Sequence, residues 1–194
     1  MNRSAVIDST GAYRYLLSRT WDLELGQQPR RICWVMLNPY SASATKDDPT
    51  IRKCLGFSRQ MFANGFDVVN LFAYRATNPL ALLGPLTRDE AVGPKNDGYI
   101  LEAAQCADRI IVAWGGRGGL HGRDEEVRRL LASTGKPLMA LRLGKHASVR
   151  PERMSHESQV HERFPWHPLW APYNSVLMPW PGVAENSQTK QEAL

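Results

Sequence analysis

Two asparagines and a histidine stand at or beyond the ends of apolar runs in this sequence. Asn38 comes directly after the run ICWVML, and Asn70 lies near the end of the run FDVVNLF. His167 belongs to an aromatic segment further along the chain. Polar residues at strand ends within apolar runs give a site what it needs, which is rigid placement and a few convergent hydrogen-bonding groups. We therefore take these three residues as the first candidates for a binding or catalytic site.

Each of these candidates also has a purely structural interpretation. Asn38 precedes Pro39, and an asparagine there can simply start a turn through its own side chain. His167 is followed by Pro168, and a single histidine among aromatic residues is commonly a hydrogen-bonded structural group. Asn70 is harder to explain in this way, because a buried amide in an apolar strand has to bond to something specific.

The sequence carries no signature of metal or covalent chemistry. Its five histidines lack a metal-ligand spacing, so we expect no metal and no cofactor. The glycine-rich segment 115–119 matches neither a P-loop nor a dinucleotide-binding motif, and there is no Ser-His-Asp signature. Asp47 and Asp48 are adjacent, and we interpret Asp48 as the cap of a helix that begins at Pro49 rather than as half of a catalytic pair.

Four apolar runs alternate with helix-like segments, which predicts an α/β fold. The strands are expected at 32–37, 66–72, 109–114 and 137–143, and the helices at 49–63, 95–106 and 123–134. This order implies a three-layer sandwich with a central, mainly parallel four-stranded sheet and helices on both faces. Residues 13–21 are compatible with either a strand or a short helix.

Ligands of open parallel sheets bind beyond the carboxyl ends of the strands. Besides the two asparagines and His167, this rule selects three basic side chains, Arg75, Arg117 and Lys145. It also selects four aromatic ones, which are Tyr40, Phe72, Tyr74 and Trp114. We expect the three basic residues to contact phosphate or nucleic acid, because guanidinium and ammonium groups are the usual phosphate ligands.

Composition and charge set few limits on function. The 194 residues, 43% of them hydrophobic and 22% charged, fit one domain over residues 1–181 followed by a tail, 182–194, that we expect to be disordered. The net charge of +5 permits a polyanionic partner. The positive excess lies in residues 1–60 and 117–165, which would form a basic face if the fold joins them; solvated helix surfaces are the alternative.

Cysteine usage and hydropathy indicate a cytoplasmic protein. The sequence has three cysteines, which are Cys33, Cys54 and Cys106. Because their number is odd and no two of them form a C-x-x-C motif, we expect buried free thiols in a reducing compartment. The N-terminal segment has no apolar signal region, and no apolar run approaches the length that spans a bilayer. We predict a monomer that does not engage a membrane.

Taken in order, the marked segments resemble the uracil-DNA glycosylase superfamily. The matching motifs are Asn38-Pro39-Tyr40, Gly56-Phe57-Ser58, Val68-Val69-Asn70, Ala113-Trp114-Gly115 and His167-Pro168-Leu169. The first is most similar to the mismatch-specific uracil/thymine branch, although its tyrosine is similar to the classical uracil branch. The segments MLNPYSASATKDDPTIRKCLGF, VVNLFAYRATNP, VGPKND, AWG and HPLW also resemble a bacterial and phage family of domains of unknown function.

The glycosylase resemblance implies a role for each matched residue. Asn38 would position the attacking water or the sugar, Phe57 would stack on an extruded base, and Tyr40 would limit the size of its 5-substituent. Asn70 would bind the hydrogen-bonding edge of the base through both amide atoms. His167 would donate a hydrogen bond to the base oxygen that gains charge. Asn38 has no titratable carboxylate, so it cannot act as a general base. Only positioning and electrostatic stabilisation remain as sources of catalysis, which predicts a slow enzyme.

The sequence also departs from the superfamily pattern. Met36-Leu37 replaces the Gly-Gln or Gly-Ile that opens the first motif, and Leu169 replaces a serine that helps to hold the DNA backbone. Three hypotheses therefore stand. The first is a monofunctional DNA glycosylase that releases uracil or a modified base from single- or double-stranded DNA. The second is a different enzyme that processes a free nucleotide or modifies a base, and the third is a non-catalytic nucleic-acid-binding module.

Overall fold

A computed structural model of the chain describes residues 1–23, 26, 28–76, 82, 86–142 and 164–180. The strands are β1 (Asn2–Ile7), β2 (Arg14–Thr20), β3 (Arg31–Met36), β4 (Gly65–Asn70), β5 (Arg109–Val112), β6 (Leu138–Arg142) and β7 (Val176–Pro179). The helices are α1 (Pro49–Gln60), α2 (Arg88–Val92), α3 (Asn96–Cys106) and α4 (Arg123–Ala132), with short 3-10 turns at Leu120–Gly122 and Pro168–Trp170. The expected tail, 182–194, lies outside the described residues.

The strands form one mixed sheet in the order β1-β2-β4-β3-β5-β6-β7. Its four central strands, β4, β3, β5 and β6, run parallel to one another, and they are the four strands that the apolar runs predict. The other three strands pair in the antiparallel sense, β1 and β2 on one side and β7 on the other. Among the residues that the structure describes, the sheet therefore has seven strands, and the expected number of four was wrong.

Of the additional strands, β1 and β2 lack the continuous apolar run that marks a central strand, whereas β7 is apolar but only four residues long. β1 and β7 lie at the two edges of the sheet, where a strand has one neighbour and can expose one face. Residues Asn2–Ile7 are mostly exposed, as are Val176 and Met178 of β7. The segment 13–21, for which a strand and a short helix were both possible, contains the strand β2.

Helices cover both faces of the sheet, as the three-layer interpretation requires. Alternate side chains of β3 point to opposite faces, so Trp34 packs with α1 whereas Val35 packs with α3 and α4. The connection after β3 leads to β4, on one side of β3. The connection after β4 then crosses β3 and leads to β5, on the other side of β3. This reversal places a crevice between the carboxyl ends of β3 and β5, where ligands of open α/β sheets usually bind.

Two further sequence-based expectations can be compared with the structure. Cys33 and Cys54 are buried free thiols, whereas Cys106 is exposed, which corrects the expectation that all three are buried. The last turn of α3 directs Cys106 away from the buried face of that helix, which carries Ile100 and Ala104. Within the described segments, no helix is both long enough and apolar enough to cross a membrane.

A close contact between Trp114 and Gly118 shapes the turn that follows β5. The Trp114 indole is buried and meets Trp180 edge to face, with 5.2 Å between ring centroids. A Cβ atom added to Gly118 would lie 2.0 Å from Cδ1 of Trp114, which is far inside van der Waals contact. The indole is held by its neighbours, so a side chain at position 118 has to displace it.

We expect Gly118→Ala to lower the free energy of unfolding by about 1–3 kcal/mol, the usual cost of overpacking a filled core. Gly116→Ala is the matched control, because a Cβ there meets nothing within 4 Å. Urea denaturation of the two variants and the wild type measures the difference. Equal stabilities for the two variants would show that the Trp114 ring can move away at little cost.

Candidate functional site

Asn38 lies immediately beyond the carboxyl end of β3 and is half-buried. Its Nδ2 donates to the carbonyl of Pro39 at 3.1 Å and to the carbonyl of Ala76 at 3.0 Å. These bonds account for both amide hydrogens and fix the orientation of the side chain. No hydrogen bond joins its Oδ1 to another residue of the described segments, so this oxygen is the atom that can accept from a ligand or a water molecule.

Asn70 is the last residue of β4 and is almost completely buried, with 1% of its surface exposed. In the parallel register it stands beside Met36 of β3, two residues before Asn38. Its Oδ1 accepts a hydrogen bond from Nη2 of Arg14 at 3.3 Å, whereas its Nδ2 is buried without a partner. Buried amide nitrogens are nearly always bonded in native proteins, so this one is a candidate ligand donor.

The main chain around Asn70 is held by two other buried side chains. Nδ2 of Asn96 donates to the carbonyls of Asn70 and Leu71, in both cases at 2.9 Å. Nε of Arg123 donates to the carbonyl of Leu71, also at 2.9 Å. These bonds make the end of β4 a rigid platform. Sequence analysis did not select Asn96 or Arg123, although Asn96 belongs to the segment VGPKND that carries the second family resemblance.

His167 reaches the same edge of the sheet from the segment that precedes β7. Gly115, just after β5, donates its backbone N–H to the carbonyl of Pro165 at 3.0 Å. An ideal Cβ on Gly115 would lie 3.8 Å from Cβ of His167, so the two residues are neighbours. Nδ1 of His167 accepts from the backbone N–H of Leu169 at 3.4 Å. An acceptor nitrogen carries no proton, so the neutral ring has its hydrogen on Nε2, the other nitrogen.

Burial lowers the pKa of His167 to about 4, and the nearby charge of Asp48 opposes this shift. The imidazole is therefore uncharged at neutral pH. Asp48 is buried and caps α1, accepting from the N–H of Ile51 at 2.9 Å, as the sequence predicts. Asp47 instead pairs with Arg19 at 2.7 Å, so the two adjacent carboxylates face different partners.

The two aromatic candidates occupy different environments. Tyr40 is 50% exposed in the loop that follows Asn38, close to the carboxyl edge of the sheet. Phe57 is buried in α1, with its ring 6.2 Å from that of Trp34 and 5.0 Å from that of Tyr173. It lies eight residues, about 12 Å, along the helix from Pro49. Tyr40 thus follows the end of β3 directly, whereas Phe57 is packed in the core, and contact of either ring with a base stays a prediction.

The three basic candidates do not form a described cluster. Arg75 is half-buried after β4, where its Nη1 donates to the carbonyl of Gly11 at 2.9 Å and its Nε is buried without a partner. Arg117 is exposed in the turn after β5. Lys145 lies outside the described residues. A shared phosphate site formed by these side chains stays a prediction.

Ion pairs neutralise part of the positive charge of both basic segments. Arg3 and Arg19 contact the carboxylate of Asp47, and Arg128 contacts Glu125 at 2.8 Å. In the described part of the chain, no group of three or more His, Cys, Asp or Glu side chains is arranged to hold a metal ion. The polar side chains at this edge of the sheet include the amides of Asn38 and Asn70 and the imidazole of His167.

We expect the ring protons of His167 to titrate with a midpoint near pH 4, because burial disfavours the charged imidazolium. NMR titration of the histidine ring protons measures this midpoint, and the resonance missing from the His167→Gln spectrum assigns it. A His167 resonance that titrates near pH 6.5, the value of an unperturbed histidine, would show that its surroundings do not disfavour the imidazolium.

Comparison with family models matches residues 14–169 to the family DUF1643, whose description is "Protein of unknown function". No curated protein and no solved structure matches the chain. The resemblance to the glycosylase superfamily therefore stays a prediction. The matched segment begins at β2, includes the ends of β3, β4 and β5, and reaches the turn that carries His167. Because it covers well over half of the chain, the protein belongs to the DUF1643 family.

Proposed function

We propose that this protein is a nucleobase-recognising enzyme, a monofunctional DNA glycosylase that hydrolyses the N-glycosidic bond of uracil or a modified base. The observation that carries the proposal is the presence of two uncharged donors at one edge of the sheet. One is the buried, unpartnered Nδ2 of Asn70, and the other is Nε2 of the neutral His167. Both suit the carbonyl oxygens of a keto base, which accept hydrogen bonds without carrying a full charge.

The reaction requires that the leaving base be stabilised as it gains electrons. Hydrolysis breaks the bond between the anomeric carbon and the base nitrogen, water supplies a hydroxyl to the carbon, and a proton finally returns to the base. As the bond breaks, negative charge moves onto the carbonyl oxygens of the base. A donor fixed in advance, such as the neutral His167, can stabilise this charge by about 3–4 kcal/mol.

Asn38 fits the task of positioning water. Its amide nitrogen is occupied by the carbonyls of Pro39 and Ala76, so its oxygen has a fixed direction. An amide oxygen can orient a water molecule by accepting one of its hydrogens, but it cannot remove a proton at neutral pH. The proposed enzyme therefore relies on orientation and electrostatics, and we expect its turnover to be slow.

The burial of Asn70 sets a condition on the ligand. With 1% of its surface exposed, this side chain can meet a base only if the protein encloses that base. A base within a duplex cannot be enclosed in this way, so it has to leave the stack or come from a single strand. Phe57 is packed in the core, and the half-exposed Tyr40, in the loop after Asn38, is an aromatic side chain that could contact the ring of the base.

A free nucleotide is the second candidate substrate. Arg14 and Arg75 each have a buried Nε without a partner. Guanidinium groups with unused donors are suited to phosphate, which a nucleotide would bring close to its base. In this alternative, the same asparagines and His167 would hold the base while the two arginines hold the phosphate.

We expect the wild-type protein to release a base from an oligonucleotide that carries uracil, hypoxanthine, mismatched thymine or a 5-substituted pyrimidine. His167→Ala should lower the rate by about 100- to 1000-fold, because one fixed donor to the developing charge is lost. Asn38→Ala should also abolish most activity. Alkaline cleavage of abasic sites in single- and double-stranded substrates measures base release.

His121→Ala is the matched control for this assay, since His121 is an exposed histidine in the 3-10 turn before α4 and should leave the rate unchanged. Circular dichroism confirms that each variant is folded. The glycosylase proposal fails if folded wild-type protein releases no base from any substrate. Binding of nucleotides without base release would then favour the second candidate, and binding of oligonucleotides alone would favour a non-catalytic module.

We expect the rate of base release to change little between about pH 5.5 and pH 8, because the enzyme has no essential group that titrates in this range. The pKa of His167, about 4, lies below it, and the neutral imidazole is the predominant form throughout. Single-turnover rates across this range test the expectation. A loss of activity centred near pH 6.5 that His167→Gln removes would show that the imidazole titrates as an exposed group.

A further inference from the structure

Arg14 is a buried cation that contacts the side chain of Asn70. It extends from β2, and 2% of its surface is exposed. Its Nη2 donates to Oδ1 of Asn70 at 3.3 Å, and its Nη1 donates to the carbonyl of Ala42 at 3.0 Å. No carboxylate of the described segments lies within ion-pair distance of this guanidinium. Burial lowers the pKa of Arg14 to about 10, which reflects the cost of holding the charge between neutral acceptors.

The bond from Arg14 determines which end of the Asn70 amide faces a ligand. A guanidinium has only donors, so the amide atom next to it has to be the oxygen. The amide nitrogen then points the other way, and it is the buried Nδ2 that has no partner in the protein. An asparagine without such a neighbour can rotate by half a turn and present its oxygen instead.

The main chain of Asn70 is held in place independently of Arg14. Asn96 holds the carbonyl of Asn70, and the parallel register fixes the residue beside Met36 of β3. The direction of the Asn70 side chain is therefore set by the strand, and its rotation about the last bond is set by Arg14. These two constraints come from different parts of the chain, so the second can be removed while the first is kept.

We propose that Arg14 is a positioning residue that sets the specificity of the site by fixing the Asn70 amide with its NH2 group toward the ligand. The site then selects ligands with a carbonyl oxygen at this position over ligands with an amino group. This inference rests on the proposed nucleobase site. Uracil and cytosine differ in this way, as do hypoxanthine and adenine, and a freely rotating amide could pair with either member of each couple.

The test measures the affinity of the full chain for the four free bases by isothermal titration calorimetry. We expect the wild type to prefer uracil to cytosine, and hypoxanthine to adenine, by about 5- to 150-fold, the penalty for placing a donor against a buried donor. Arg14→Met, which keeps the length of the side chain without its donors, should reduce each ratio to below about threefold. Arg14→Lys keeps a donor and should retain most of the preference.

Arg19→Met is the matched control, because Arg19 is a buried arginine on the same strand that contacts Asp47 rather than Asn70. It should lower thermal stability without changing the ratios, which separates loss of a buried arginine from loss of the Asn70 contact. If Arg14→Met does not fold, Arg14→Gln carries the test, because its amide oxygen can accept from Asn70 and should likewise reduce the ratios; Asn70→Asp tests the amide itself. The aspartate, which lacks the amide donors, should reverse the preference toward amino bases.

Two outcomes overturn the role of Arg14. One is an Arg14→Met protein that is folded and has the wild-type ratios, and the other is a wild type that binds none of the four bases up to their solubility limits. These results are distinct from a failure of the glycosylase proposal. The protein could prefer keto bases in a way that depends on Arg14 and still release no base from oligonucleotides. That result would support the positioning role of Arg14 and contradict the proposed glycosylase reaction.

Discussion

The hydrogen bonds that Asn96 and Arg123 donate to the end of β4 support the rest of the candidate site. They bind the carbonyls of Asn70 and Leu71 at 2.9 Å, at the point where the chain leaves the sheet. A buried carbonyl left without a donor costs about 1–3 kcal/mol, so both side chains stabilise the fold as well as the site. Because the donors come from α3 and α4, the packing of one helical layer decides where the Asn70 side chain stands. The position of Asn70 relative to β3 and β5 then determines what a ligand can meet.

Charged groups lie near the site, but the groups proposed to contact the ligand are uncharged. Arg14 stands next to Asn70, and the charge of Asp48 raises the pKa values of both Arg14 and His167 against the effect of burial. The carboxylate of Asp48 and the guanidinium of Arg14 carry opposite charges, which partly offset each other. The proposed ligand therefore meets amides and a neutral imidazole. Such groups favour a neutral base in the ground state and stabilise the charge that develops on its oxygens.

The sequence predicts the parallel core of the sheet because each central strand is buried on both faces and reads as a continuous apolar run. It does not predict β1, whose exposed face removes that signal, or β7, an apolar run of only four residues that ends at Pro179. Asn38, Asn70 and His167 follow from the rule that ligands bind at strand ends, whereas Arg14 lies 56 residues from Asn70 and meets it only after the sheet has formed. For Phe57, a glycine-phenylalanine-serine motif suggested contact with a base. Its spacing of three from Cys54 already places it beside that buried residue on α1.

The central claim is that Asn70 and His167 hold one keto base between them at the carboxyl edge of the sheet. A crystal structure of the full chain with bound uracil tests it most directly. The account predicts that Nδ2 of Asn70 and Nε2 of His167 each lie about 2.9 Å from a carbonyl oxygen of the base, the usual length of such a hydrogen bond. Uracil bound elsewhere, or bound at this edge with neither donor in contact, would contradict the account.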